Sequence, residues 1–151
     1  MDRITAQQRH FTMSRIRGKD TKPEMLVRSY LFSQGFRFRK NDKRYPGHPD
    51  IVLPKYRTMV FVNGCFWHGH EGCRYYVVPK SNTAFWQEKI ARNRARDLSD
   101  FEALTMKGWN VITIWECQLD KAERDKTMSL LVSELHARGL ALSGAKEGQD
   151  D

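Results

Sequence analysis

The sequence predicts one α/β (α+β) domain, three layers deep, built around a central mixed β-sheet. Three observations carry this. Strand-like and helix-like segments alternate along the chain, the order that places helices against a sheet. Met59-Val60-Phe61-Val62 is an unbroken apolar run, as in a strand covered on both faces. A long helical segment, from Asn82 or Thr83 to about Lys107, is closed by Gly108 and followed by the apolar run Val111 to Trp115. The 151 residues suit one domain with its own core.

Thr5-Ala6-Gln7-Gln8 has the form of a capping box and predicts a short helix start. Thr21-Lys22-Pro23-Glu24 predicts a second start, with a capping hydroxyl and a proline in the first turn, where its missing N–H does no harm. Leu26, Val27, Tyr30 and Leu31 recur at helical spacing, and Gly35 is a natural stop. Phe36 and Phe38 alternate with Arg37 and Arg39 as in a half-exposed strand. Tyr45-Pro46-Gly47-His48-Pro49 reads as a tight turn, Asp50 to Leu53 as a short buried strand, and Thr58 to Asn63 as the central strand. Gly64 to Pro79 is a loop rich in Cys, His and aromatic residues. A last helix is expected from about Asp120 to Ala137, and a disordered polar tail from Ser143. The organisation expected is an N-terminal arm (1–20), a folded domain (21–140) and a tail (141–151).

Lys and Arg number 26 against 18 Asp and Glu, a net charge of +8. A basic surface on a small domain favours polyanions, because neutralised phosphates release counterions. No segment approaches the ~20 apolar residues of a membrane helix, and the N-terminus has no secretory pattern. Three cysteines, an odd number, argue against a disulfide framework. Cys65, His70 and Cys73 are spaced C-x4-H-x2-C, and Cys117 follows the strand ending at Trp115. Four such ligands suit tetrahedral Zn²⁺ in a structural role. His68, at C-x2-H spacing, competes with His70 for the fourth place, and free thiols are the plainer alternative.

Asp50 opens a buried strand. It fits a ligand for a hard cation such as Mg²⁺, or a turn-capping aspartate. Glu24 complements a helix dipole or joins an acidic site. His68, beside Trp67, is a general acid or base, a metal ligand or a surface histidine. Phe66, Trp67 and Trp86 either stack on bases or fill the core. Lys89, Arg92 and Arg96 make one basic stripe on the long helix, and Arg9, Arg15, Arg17 and Lys19 a second cluster. Each is a phosphate contact or a solvated face.

Residues 45–73 contain Tyr-Pro-Gly-His-Pro-Asp-Ile-Val and Val-Phe-Val-Asn-Gly-Cys-Phe-Trp-His-Gly-His-Glu-Gly-Cys. Together with Phe85-Trp86-Gln87-Glu88-Lys89-Ile90 and Ile114-Trp115-Glu116-Cys117, they closely resemble the very short patch repair (Vsr) DNA mismatch endonucleases. The resemblance covers about residues 10 to 120. It implies a PD-(D/E)xK restriction-endonuclease-like fold and nicking of double-stranded DNA 5′ to the T of a T·G mismatch. It implies catalytic Mg²⁺ at Asp50 and the Val62 main-chain carbonyl, with His68 and Glu24 catalytic. It assigns structural Zn²⁺ to Cys65, His70, Cys73 and Cys117, which leaves His68 free. It implies an aromatic wedge of Phe66, Trp67 and Trp86, and an intercalating Met13 on a DNA-contacting arm. It implies a cytoplasmic, nucleoid-associated prokaryotic monomer. Two departures stand out. Asn63 occupies the place where the best-known members of that family carry a second active-site histidine, and Asn cannot shuttle a proton near neutral pH. The acid-x-lysine pair of ordinary nucleases of that fold is also absent, with Phe61 and Asn63 in that stretch, as is usual in the Vsr enzymes. A zinc-organised DNA-binding module without catalysis and a restriction-like nickase blind to mismatches are the competing readings.

Overall fold

The computed structural model describes residues 20–149. The helix start at Thr5, Met13, Arg15 and the rest of the N-terminal basic cluster lie outside these residues. Helix α1 spans Lys22–Ser33 and starts as its sequence directs: the Thr21 hydroxyl accepts from the Glu24 N–H, and Pro23 sits in the first turn. The chain then forms β1 (Arg39–Lys40), β2 (Ile51–Leu53), β3 (Thr58–Asn63), α2 (Thr83–Met106), β4 (Asn110–Trp115) and α3 (Arg124–Gln149).

The four strands make one mixed sheet in the order β1-β2-β3-β4. The β1–β2 and β2–β3 pairs are antiparallel, and β3–β4 is parallel with Thr58 opposite Asn110 and Asn63 opposite Trp115. The parallel pair needs a long crossover, which the 64–82 loop and α2 supply. Alternating residues of β2 and β3 serve two cores. Ile51, Leu53, Val60 and Val62 face α1 and α3, meeting Val27, Leu31, Met128, Leu131 and Leu135. Val52, Met59 and Phe61 face the other way, onto Leu104 and Trp109 with Phe101 alongside. All of β3 is buried, as its unbroken apolar run predicts, and helices on both faces give the expected three layers.

Three local expectations are corrected. The strand expected around Phe36–Arg39 is reduced to Arg39–Lys40, because Phe36 leaves the sheet to pack against Tyr56 and His136, with ring centroids 5.3 and 5.4 Å away. The last helix starts at Arg124 rather than about Asp120, after a 3₁₀ turn over Glu116–Leu119. It also runs past the expected end at Ala137 to Gln149. Gly139 and Gly144 each cost a helix only about 1 kcal/mol, and neighbours such as Leu140, Ala141 and Ala145 are good helix formers.

Candidate active site and metal centre

The sheet brings the chemistry-bearing residues to one end. Cys65 follows the carboxyl end of β3, and Cys117 that of β4. Antiparallel β2 places its entry residue, Asp50, at the same end. Ligands of α/β sheets gather beyond the carboxyl ends of strands, where backbone groups are free and loops converge.

Asp50 Oδ2 accepts a hydrogen bond from the Val62 N–H at 2.6 Å. Burial pushes the Asp50 carboxyl up to about 7, with the charge of Glu24 adding to the rise and Arg28 and His68 opposing it. These four groups therefore share one electrostatic neighbourhood. Glu24 is itself only 3% exposed. Its Oε1 accepts from the Thr21 hydroxyl at 3.2 Å and its Oε2 from the Asp20 N–H at 2.9 Å, so it also helps cap α1. Asn63 is buried at the end of β3.

The loop after β3 folds back on α2 through four contacts. Asn93 Nδ2 donates to the Trp67 carbonyl at 2.9 Å, and Arg94 reaches Glu71 at 2.6 Å. Gly69, at φ +61°, lies so close to the helix that a Cβ would meet Ile90 Cγ2 and Arg94 Cδ at 2.7 Å. Finally, His68 Nδ1 pairs with Asp97 Oδ2 at 2.5 Å. A carboxylate on one ring nitrogen leaves the other directed elsewhere, the arrangement of an oriented acid–base histidine. Asp97 thereby joins the candidate site, and sequence reasoning missed it. A helical signal existed: Trp86, Ile90, Asn93, Asp97, Phe101 and Leu104 follow one inward stripe of α2, and an aspartate is foreign to such a stripe.

Phe66, Trp67 and Trp86 meet edge-on, with centroids 5.3 to 5.9 Å apart, and belong to neither core. They are half-buried, and Phe85 extends the group while remaining 53% exposed. Lys89 Nζ lies 5.6 to 6.0 Å from the Trp67, Trp86 and Phe85 rings, where a cation is attracted to their faces. Arg92 and Arg96 are exposed and have no ion-pair partner among the described residues. Arg94, off this stripe, ties down the loop.

The candidate ligand atoms of Cys65, His70, Cys73 and Cys117 all lie within 4.8 Å of one another, so the four residues can hold a metal ion. The His70 ring stacks flat on Trp115 at 4.1 Å and 5°, which fixes its orientation. Burial pushes the Cys65 thiol up to about 12, so a thiolate there needs a cation beside it. His68 stands outside this group.

A basic α/β domain with a buried and a half-buried carboxylate, an oriented histidine near the strand ends and half-buried aromatics outside both cores has the parts of a nuclease. The comparisons agree. The sequence profile described as DNA mismatch endonuclease Vsr matches residues 1–74. The chain is 43% identical over 112 residues to the DNA mismatch endonuclease Vsr of Escherichia coli (strain K12), covering 74% of this chain and 71% of that one. It is 53% identical over 135 residues to the type II nicking enzyme V.NmeAIP of Neisseria meningitidis serogroup A, covering 89% and 96%. It is 49% identical over 118 residues to the type II nicking enzyme V.XorIIP of Xanthomonas oryzae, covering 78% and 86%. The chain belongs to the Vsr DNA mismatch endonuclease family, and it is a nuclease whose substrate is DNA. No helix of the described residues is long and apolar enough to cross a membrane.

Proposed function

We propose that this enzyme nicks double-stranded DNA 5′ to the T of a T·G mismatch, in a Mg²⁺-dependent reaction on a restriction-endonuclease-like fold. The observation that carries the reading is the convergence of Asp50, Glu24 and the His68–Asp97 pair at the foot of the aromatic loop. Asp50 and the Val62 carbonyl would hold Mg²⁺. In a strand the N–H and C=O of one residue point to the same side, so the Val62 N–H bond to Asp50 turns the Val62 carbonyl that way too. A buried and a half-buried carboxylate, Glu24 and Asp50, that share one arginine suit a hard divalent ion. When bound, Mg²⁺ supplies Lewis-acid stabilisation of the phosphate and the leaving 3′-oxygen.

The protein's own groups do the rest. Asp97 holds His68 Nδ1, so Nε2 faces the substrate and accepts the proton of the attacking water. Glu24 and Asn63 offer acceptor and donor atoms that orient that water. The products are a 3′-hydroxyl and a 5′-phosphate. Phe66, Trp67 and Trp86 enter beside the mismatch, where a T·G wobble is less costly to distort than a matched pair. Lys89, Arg92, Arg96 and, on the N-terminal arm, Arg15 contact phosphates, and Met13 intercalates from the opposite groove.

Zn²⁺ held by Cys65, His70, Cys73 and Cys117 would be structural: four protein ligands would leave no position for substrate, and the ion would tie the loop to the end of β4. The protein acts as a monomer, in the cytoplasm at the nucleoid. A second reading, a nickase blind to mismatches, is favoured by the relatives named type II nicking enzymes. Strand-resolved cutting of labelled duplexes decides: a single nick on the T strand, dependent on Mg²⁺ and lost in Asp50→Ala, is expected. Full activity of that variant would overturn the metal assignment.

A further inference from the structure

Behind Glu24 lies a charge arrangement that the catalytic reading does not use. Arg28 is 7% exposed and sits one helical turn after Glu24. At that spacing an arginine ordinarily closes on the glutamate. Here it does not. Arg28 Nη2 bonds Asp20 Oδ1 at 2.8 Å and stays 3.7 Å from Glu24 Oε2. Its Nη1 is buried with no hydrogen-bond partner among the described residues. A buried guanidinium N–H is costly to leave unpaired, so this placement leaves Arg28 short of the bonds it could make.

Asp20 is what holds the guanidinium back. Its Oδ1 also accepts from Asn41 Nδ2 at 3.0 Å, and its own N–H donates to Glu24. Asp20 adopts φ +55°, a left-handed conformation uncommon for a non-glycine residue and held by these bonds. Its carboxylate thus competes with that of Glu24 for one cation. Three carboxylates, Asp20, Glu24 and Asp50, share Arg28 as the arginine of this network.

We propose that Asp20 and Arg28 are positioning residues for the Asp50–Glu24 pair: Asp20 draws the guanidinium off Glu24 and so sets how strongly that pair attracts a divalent cation. The inference rests on the reading of Asp50 and Glu24 as the cation-dependent centre. Its consequence is a pair of opposite effects. Removing the Asp20 charge lets Arg28 close on Glu24, which weakens cation binding. Removing the Arg28 charge leaves the carboxylates uncompensated, which strengthens it.

The test uses Mn²⁺ as probe on DNA-free, zinc-supplied protein, with free Mn²⁺ read by electron paramagnetic resonance and Mg²⁺ as competitor. Asp20→Asn is expected to weaken Mn²⁺ binding by about threefold or more, and Arg28→Gln to tighten it by about as much, from one unit charge at a partly buried site. Arg28→Lys keeps the charge and is expected within about twofold of wild type. The Mg²⁺ concentration for half-maximal nicking is expected to rise in Asp20→Asn. Should Asp20→Asn fail to fold, Arg28→Gln alone suffices, because tighter binding is not a product of damage. Shifts in the same direction for both variants, or none, with wild type binding Mn²⁺ and nicking in Mg²⁺, would overturn this inference alone. Absence of cation binding and of Mg²⁺-dependent nicking in wild type would overturn the functional reading and this inference with it.

Discussion

His68 and Asp97 stand 29 positions apart in sequence, yet His68 Nδ1 lies 2.5 Å from Asp97 Oδ2. One is in the loop that carries Phe66, Trp67 and the candidate metal-binding Cys65, His70 and Cys73, the other on the helix behind that loop. The pairing fixes which nitrogen of His68 can reach a substrate. Asp97→Asn keeps the shape but favours the wrong tautomer. Nicking is expected to fall by about 10² to 10⁴ in single-turnover rate, the range that acid–base catalysis contributes. Gel-shift affinity for the same duplex is expected to stay unchanged. A rate within about threefold of wild type would remove Asp97 from the site.

Asp50 links function to stability. Its carboxyl lies at about 7 in the folded chain against an ordinary 3.8. A group raised in this way favours the folded state while protonated. In Mg²⁺-free buffer, stability is therefore expected to be highest below about pH 4 as far as Asp50 is concerned. It declines as pH rises through about 7. Asp50→Asn removes that decline. At pH 8 the variant is expected to be more stable by roughly 2–4 kcal/mol and to melt several degrees higher, while losing activity. Parallel pH–melting curves for wild type and variant would contradict this.

Cys65, His70, Cys73 and Cys117 cluster where the loop meets the end of β4, so changing one of them acts at a distance from Asp50. Cys117→Ser is expected to lower bound zinc from one per chain to well below it, by elemental analysis, and to reduce melting temperature by about 5–10 °C. Nicking is expected to disappear even with Mg²⁺ in excess, because His68 and the aromatic residues lose their anchor. Full zinc content in the variant would refute the ligand assignment.

Gly69 is constrained from two sides: its φ of +61° and the 2.7 Å approach that a Cβ would make to Ile90 and Arg94. Gly69→Ala is expected to cost about 1–3 kcal/mol and to push the loop off α2, separating His68 from Asp97. Nicking is expected to fall at least about tenfold in protein that remains folded at the assay temperature. An unchanged rate would mean that the loop tolerates displacement.

What the sequence showed depended on how local each cause was. Thr21 and Pro23 announce α1 because capping acts within one turn. The burial of β3 is legible in Met59 to Val62, since a strand between two layers has no polar face. The cysteine–histidine group is legible because three of its four members lie within nine residues. The shortened β1 is not, because Phe36 prefers the long-range company of Tyr56 and His136 to a strand partner. Nor is the His68–Asp97 pairing, which needs the folded loop against α2. The bonds that hold Glu24 to Asp20 and Thr21 show that one residue can cap a helix and face Asp50 at once, a pair of roles that composition cannot separate.

The central claim is mismatch-directed nicking, and one comparison tests it most directly. Two duplexes identical except for a single T·G or C·G pair are cut in Mg²⁺ under single-turnover conditions, and the rates are compared strand by strand. The expected result is a nick 5′ to the T of the mismatch at least about 100 times faster than any cut in the matched duplex, a preference of ~3 kcal/mol. Equal rates on both duplexes would contradict it and leave a nickase that reads sequence alone.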